Sequence, residues 1–187
     1  MTNPTPSQTV GPYLAIVLGR PGDEQVVPPD HPDAIRIRGT LTDADGEPVP
    51  DGLIELWQAN GAGRYNHPED AREEIPLEDG FHGFGRSKTE DGGSFEFITV
   101  KPGPVPAPQG GMQAPHIEVS VFGRGILKRI ATRIYFPNEA EANAADPVLN
   151  SIPEGQERES LIAVAEDGGL RFDISLQGED QTAFLDV

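Results

Sequence analysis

The sequence predicts an all-β, single-domain β-sandwich, and three observations carry that prediction. Seven short runs alternate apolar and polar residues with period two, turn-forming sequences lie between them, and the 22 glycines and 19 prolines punctuate those runs rather than forming one low-complexity block. With 187 residues the chain can bury a substantial core as one unit.

In chain order the runs are AIRIRGTLTD (34–43), GLIELWQA (52–59), GSFEFITV (93–100), HIEVSVFG (116–123), RIATRIYF (129–136), LIAVA (161–165) and LRFDISLQ (170–177). Each reads as a strand because alternate side chains of an extended backbone point to opposite faces. The connections DADGEP (43–48) and the two copies of EDGG (90–93 and 166–169) contain the Asp-Gly pair favoured in tight hairpins. Residues 1–33, proline-rich at both ends, read as an extended N-terminal arm that needs another surface to order it, leaving 34–187 as the sandwich. The alanine- and glutamate-rich stretch 137–152 predicts one short helix near 138–150, with Asn138 as its cap. The connection 60–92, rich in Gly, Asp, Glu and His, reads as a surface excursion of the kind that carries function.

Composition removes several classes of function. The 14 basic and 31 acidic residues give a net charge of -17, which opposes binding to nucleic acid and to anionic membranes. There is no cysteine, so disulfides, thiolate metal ligands and cysteine nucleophiles are excluded. The N-terminus has no basic start or apolar segment and the apolar runs are short, so a soluble, cytoplasmic protein is expected. No nucleotide-binding loop and no serine-hydrolase elbow occurs in the context that either requires.

The scarce functional side chains are four histidines and three tyrosines. His31, His67 and His82 read as loop histidines. His116 and Glu118 share one face of a predicted strand, opposite Ile117, Val119 and Val121, so His116 is either a structural histidine or part of a metal site. Imidazole and carboxylate suit zinc or non-haem iron, yet no H-x-H or H-x-x-x-H spacing is present. Arg124, between Gly123 and Gly125, is either a solvated turn arginine or a grip for a carboxylate. Trp57, Phe95 and Phe97 read as sheet-face or core aromatics.

Taken together, RIRGTLTDADGEPVPDGLIELWQANGAGRYNH (36–67), GFHGFGRSKTEDGGSFEFITVKPGPVP (80–106), APHIEVSVFGRG (114–125), RIATRIYF and the N-terminal TPSQTVGPYL (5–14) closely resemble the intradiol ring-cleaving dioxygenases, in order and over nearly the whole chain. The resemblance implies a β-sandwich of that type. It also implies a reaction in which O2 opens a catechol ring between its hydroxyl-bearing carbons at a ferric iron held by two tyrosines and two histidines. Of those ligand positions, Tyr65 and His116 match, whereas Val105 stands at the second tyrosine and Glu118 at the second histidine. Gln113 stands where catalytic members carry an arginine near the reacting ring.

The resemblance therefore implies a member that has lost its metal, with Tyr65 and His116 as relict positions and no catalytic residue of its own. Its Fe(III) would be bound by a beta partner subunit in an (alpha-beta)n assembly, and not by this chain. The contribution implied here is to the partner's pocket for a carboxylated catechol: Arg124 for the carboxylate, Thr9, Gly11 and Pro12 as a close wall, and Tyr13 at the subunit contact. Lys128 and Arg129 would add positive charge near Arg124. Two other readings stand beside this one: a self-sufficient enzyme with a Tyr65, His116 and Glu118 metal site, and a non-catalytic β-sandwich binding module.

Overall fold

The computed structural model describes residues 6–11 and 13–186. Its strands are β1 (Ala34–Thr42), β2 (Leu53–Trp57), β3 (Phe84–Lys88), β4 (Ser94–Val100), β5 (Val105–Pro106), β6 (Met112–Gln113), β7 (His116–Phe122), β8 (Ile130–Tyr135), β9 (Val164–Glu166), β10 (Gly169–Arg171) and β11 (Ile174–Ser175). Short helices α1 (Tyr13–Leu18), α2 (Ala140–Ala145) and α3 (Gln156–Glu159) and a 3-10 turn at Leu149–Ser151 lie between them. One sheet runs β3-β2-β7-β8, all antiparallel. In the other, β1 pairs with β4 antiparallel on one edge and with β10 and then β11 parallel on the other.

The two sheets face each other across one apolar layer. Ile37, Leu41, Phe95, Phe97, Phe172 and Ile174 from one sheet meet Ile54, Leu56, Ile117, Val119, Val121 and Ile134 from the other, all buried. The period-two spacing of these residues sends alternate side chains inward, and each fully buried one contributes about 1.5–3 kcal/mol. Ile117, Val119 and Val121 lie inside as their spacing predicts, so His116 and Glu118 stand on the outer face.

Several boundaries differ from the sequence expectation, each for a local reason. The excursion 60–92 contains a strand, β3, whose FGRSK lacks an apolar alternation. Its inward position is Gly85, where a Cβ would lie 2.8 Å from Val26. The run 170–177 is two strands, because Asp173 replaces part of the ladder: its carboxylate accepts from the Thr40 N–H at 3.0 Å and from the Thr40 hydroxyl at 2.9 Å. The run 161–165 is mostly a bridge segment, with a strand only from Val164.

Helix α2 lies within the predicted 138–150 window, but Asn138 does not cap it. Glu139 holds that position without a side-chain cap bond, and Asn138 instead accepts from the Lys101 ammonium at 3.2 Å. The arm contains α1, a helix the sequence reading did not anticipate, and its residues nearest the sandwich join the core. Gln25 bridges to Ile98 on β4, and Val26 and Val27 are buried with Phe81 and Val100.

Candidate functional site

The outer face of β2, β7 and β8 gathers the residues that matched metal-ligand positions. Antiparallel pairing sets Glu118 opposite Trp57 on one side and Arg133 on the other, and His116 opposite Tyr135. The His116 ring is buried: its Nδ1 lies 2.7 Å from the Ala114 carbonyl, which requires the proton on Nδ1. That leaves Nε2 facing Glu118 Oε1 at 3.4 Å, without a hydrogen-bond partner among the described residues. Tyr65 comes to this face from the excursion by stacking on Trp57, with centroids 5.7 Å apart, while His67 meets Trp57 edge-on.

Arg133 stands in the middle of this group. Its Nη2 pairs with Glu118 Oε1 at 2.6 Å, and its Nη1 donates to Gln113 Oε1 at 2.8 Å and to the Tyr135 hydroxyl at 3.2 Å. Tyr135 in turn donates to Asp146 at 3.0 Å, and the Asp146 carboxylate also accepts from the N–H groups of Ala114, Val148 and Leu149. Val105 pairs with Gln113 across β5 and β6, so both positions border the same group.

The electrostatics follow from burial and from these pairs. Burial alone would raise the Glu118 carboxyl, but the charge of the Arg133 guanidinium paired with it outweighs burial and holds the group below its ordinary value. Burial works against the Arg133 charge, and Glu118 and Tyr135 overcome it. Burial, reinforced by the Glu118 charge, pushes the Tyr65 phenol up, so it stays protonated.

This donor set does not fit ferric iron. Val105 offers no donor atom, and Glu118 is already neutralised by a guanidinium that would face the metal at close range. Among the described residues no group of three or more His, Cys, Asp or Glu side chains is spaced to hold a metal.

The second group of predicted site residues lies at the other end of β7. Arg124 follows Glu118 by six positions, roughly 20 Å along an extended strand, beyond the reach of its side chain to Glu118. Its side chain is 61% exposed and its Nε lies 2.7 Å from Asp51, in a contact that is ionic rather than a directed hydrogen bond. Gly125, at a positive φ of 87°, turns the chain there, and its N–H donates to the Thr9 hydroxyl at 2.8 Å. Thr9 and Arg124 are thus one residue apart across a contact between the arm and the sandwich.

Gly11 is exposed beside them, and Pro12 lies outside the described residues. Tyr13 opens α1 and is exposed together with Ile16 and Val17. Lys128 and Arg129 line a small hollow of about 170 Å³ between the arm and the turn after β7, and Arg129 donates to the Ser120 hydroxyl at 3.4 Å.

A dioxygenase family model matches residues 23–178. The alpha chain of protocatechuate 3,4-dioxygenase from Pseudomonas putida is 44% identical over 198 residues, covering 97% of this chain and 96% of its own length. The chain belongs to the intradiol ring-cleaving dioxygenases.

Within that family, the protocatechuate 3,4-dioxygenase beta chain of Burkholderia cepacia is 36% identical, covering 90% of this chain and 71% of its own length. Among solved structures, the dioxygenase domain of a dioxygenase and carbohydrate-binding fusion from Streptomyces sp. SirexAA-E superposes with a TM-score of 0.61 at 25% identity, over 94% of this chain and 99% of that one. The 3-chlorocatechol 1,2-dioxygenase of Rhodococcus opacus shares the fold, with a TM-score of 0.60 at 20% identity over 81% of this chain and 62% of that one. No helix of the described residues is long and apolar enough to cross a membrane.

Arg133 is the central residue that sequence reasoning missed. It lies on the polar side of the alternation in RIATRIYF, and only the β7–β8 register shows that it faces Glu118. Asp51, the partner of Arg124, was equally hidden, since it comes from the turn before β2.

Proposed function

We propose that this chain is the alpha subunit of a protocatechuate 3,4-dioxygenase. In this reading it pairs with an iron-bearing beta subunit in an (alpha-beta)n assembly in the cytoplasm. The assembly cleaves protocatechuate with O2 to 3-carboxy-cis,cis-muconate. The observation that carries the reading is the separation of the two groups. Arg124 on an exposed turn and Thr9 on the arm that touches that turn, the residues this reading assigns to an anionic substrate, lie remote from the chain's own Glu118 and His116. A pocket completed by that turn therefore belongs to a neighbouring subunit.

In this arrangement Asp51 meets Arg124 at Nε, which leaves the terminal guanidinium nitrogens for a carboxylate in a charge-assisted, bidentate grip. Thr9, tied to the Gly125 N–H, holds the arm against the same turn, so Gly11 is available as a close wall beside the ring. A guanidinium in the pocket also offsets the long-range repulsion that a chain of net charge -17 exerts on an anionic substrate. The iron chemistry belongs to the partner, and this chain's residues bind and orient.

Iron analysis with a visible spectrum tests the proposal on this chain expressed alone and then co-expressed with a beta subunit. The expected result is colourless, iron-free protein alone and a coloured iron–tyrosinate complex with the partner. Stoichiometric iron in the isolated chain overturns it and reinstates Tyr65, His116 and Glu118 as a metal site.

A further inference from the structure

The outer face of β7 and β8 is built around one largely buried guanidinium. Glu118 and Arg133 are direct cross-strand partners, and the Arg133 side chain is 11% exposed. Three groups converge on its guanidinium: the Glu118 carboxylate, the Gln113 amide oxygen and the Tyr135 hydroxyl. Glu118 stands at one lost ligand position and Gln113 at the position of the arginine that catalytic members carry near the ring, and Val105, the other lost ligand position, is the strand partner of Gln113. The nitrogen of His116 that would remain free for a ligand bond is buried and faces the Arg133-paired carboxylate.

We propose that Arg133 is a resident cation that takes the place of a metal ion in this face and closes it to metals. The guanidinium neutralises Glu118, occupies the side of the carboxylate from which a metal would be approached, and presents positive charge to any incoming cation. The loss of donors at Val105 and Glu118 is then only half of the change. Restoring the donors while Arg133 remains does not restore the site. This inference rests on the iron-free reading above and adds the residue that enforces it.

The test compares two variants with the unsubstituted chain, all co-expressed with the beta subunit and then separated from it. One carries Val105→Tyr and Glu118→His, and the other adds Arg133→Met, which keeps the aliphatic bulk and removes the charge. After incubation with ferric citrate, iron per chain and the iron–tyrosinate absorption band are measured. The expected result is iron binding about 10–100-fold tighter in the variant lacking Arg133, the scale on which groups next to a metal site act. Equal iron in both variants, or iron in neither, overturns the proposal. Iron already present in the unsubstituted chain is a separate result that overturns the proposed function itself.

Near-UV circular dichroism shows whether the triple variant has folded. If it has not, the single Arg133→Met variant, which keeps Tyr65, His116 and Glu118, is titrated with Co2+ and followed by visible absorption. Co2+ binding by that variant and not by the unsubstituted chain supports the proposal, and the same response from both overturns it.

Discussion

Arg124 and Arg133 carry the same charge in opposite settings, and their settings decide what each does. The Arg124 side chain is largely in water, so its pair with Asp51 adds less than about 1 kcal/mol to the fold. Its value is to a ligand: a charge-assisted bond to a carboxylate is worth about 1.5–3 kcal/mol, roughly 10–100-fold in affinity. Replacing Arg124 with alanine is expected to raise KM for protocatechuate by about that factor in the assembled enzyme, while KM for plain catechol stays nearly unchanged and the melting temperature hardly moves. Equal loss for both substrates contradicts the carboxylate role. Arg133, by contrast, is buried against Glu118, and its removal strands a carboxylate that is only partly exposed. Arg133→Met is expected to cost about 3 kcal/mol, since breaking a buried pair leaves one charge unmatched. Arg133→Met with Glu118→Gln should recover much of that loss in thermal unfolding. His116 and Glu118 were visible in the sequence as a same-face pair, but their partner Arg133 was not, because nothing local to either run specifies the register between them.

At the scale of elements, β1 and the excursion 60–92 show what packing demands beyond alternation. Gly39 occupies an inward position of β1, and a Cβ there would collide with the Phe172 carbonyl oxygen and lie 2.6 Å from the Phe95 ring. Gly39→Ala is therefore expected to destabilise by about 3 kcal/mol, the upper end of ordinary overpacking, read as a lower denaturant midpoint with unchanged slope. The excursion is held by polar side chains. Asn60 accepts from the N–H groups of Ala62 and Arg64 and donates to the Pro76 carbonyl, and Asp70 accepts from the Tyr65 N–H while pairing with Arg72. The Arg72 hydrogen bond holds the Asp70 carboxyl well below its ordinary value near 3.8. A carboxyl depressed on folding stabilises above its unfolded pKa, and that contribution is lost as pH falls through the folded value. Acid well below about pH 4 is thus expected to loosen the excursion. The single tryptophan, Trp57, stacked on Tyr65, reports this as a fluorescence change. Asp70→Asn should show the change at neutral pH and a flatter acid profile, and an unaltered acid profile in that variant would exclude Asp70 as the cause. The strand β3 escaped the sequence reading for a related reason: its core position is a glycine, filled by the neighbouring Val26 and Phe97.

At the scale of the whole molecule, the exposed apolar side chains of α1 are the surface that a partner chain would cover. Tyr13, Ile16 and Val17 are exposed on one short helix, whereas among the described residues the sandwich core draws nothing from those before Val26. Deleting residues 1–18 is expected to leave the melting temperature nearly unchanged and to abolish co-elution with a beta subunit in size-exclusion chromatography. Co-elution that survives the deletion would assign the subunit contact elsewhere. The sequence by itself determined the sandwich and its inner faces, because side-chain direction along a strand is a local property with a period of two, and its resemblance to the intradiol family marked Val105 and Glu118 as departures from the metal-ligand pattern. Only the tertiary structure decided which polar groups meet: Arg133 with Glu118 across a register, Arg124 with Asp51 across two turns, and Thr9 with Gly125 across the arm. Those meetings depend on strand register and loop path, which are set by the packing of the whole chain rather than by neighbours in sequence.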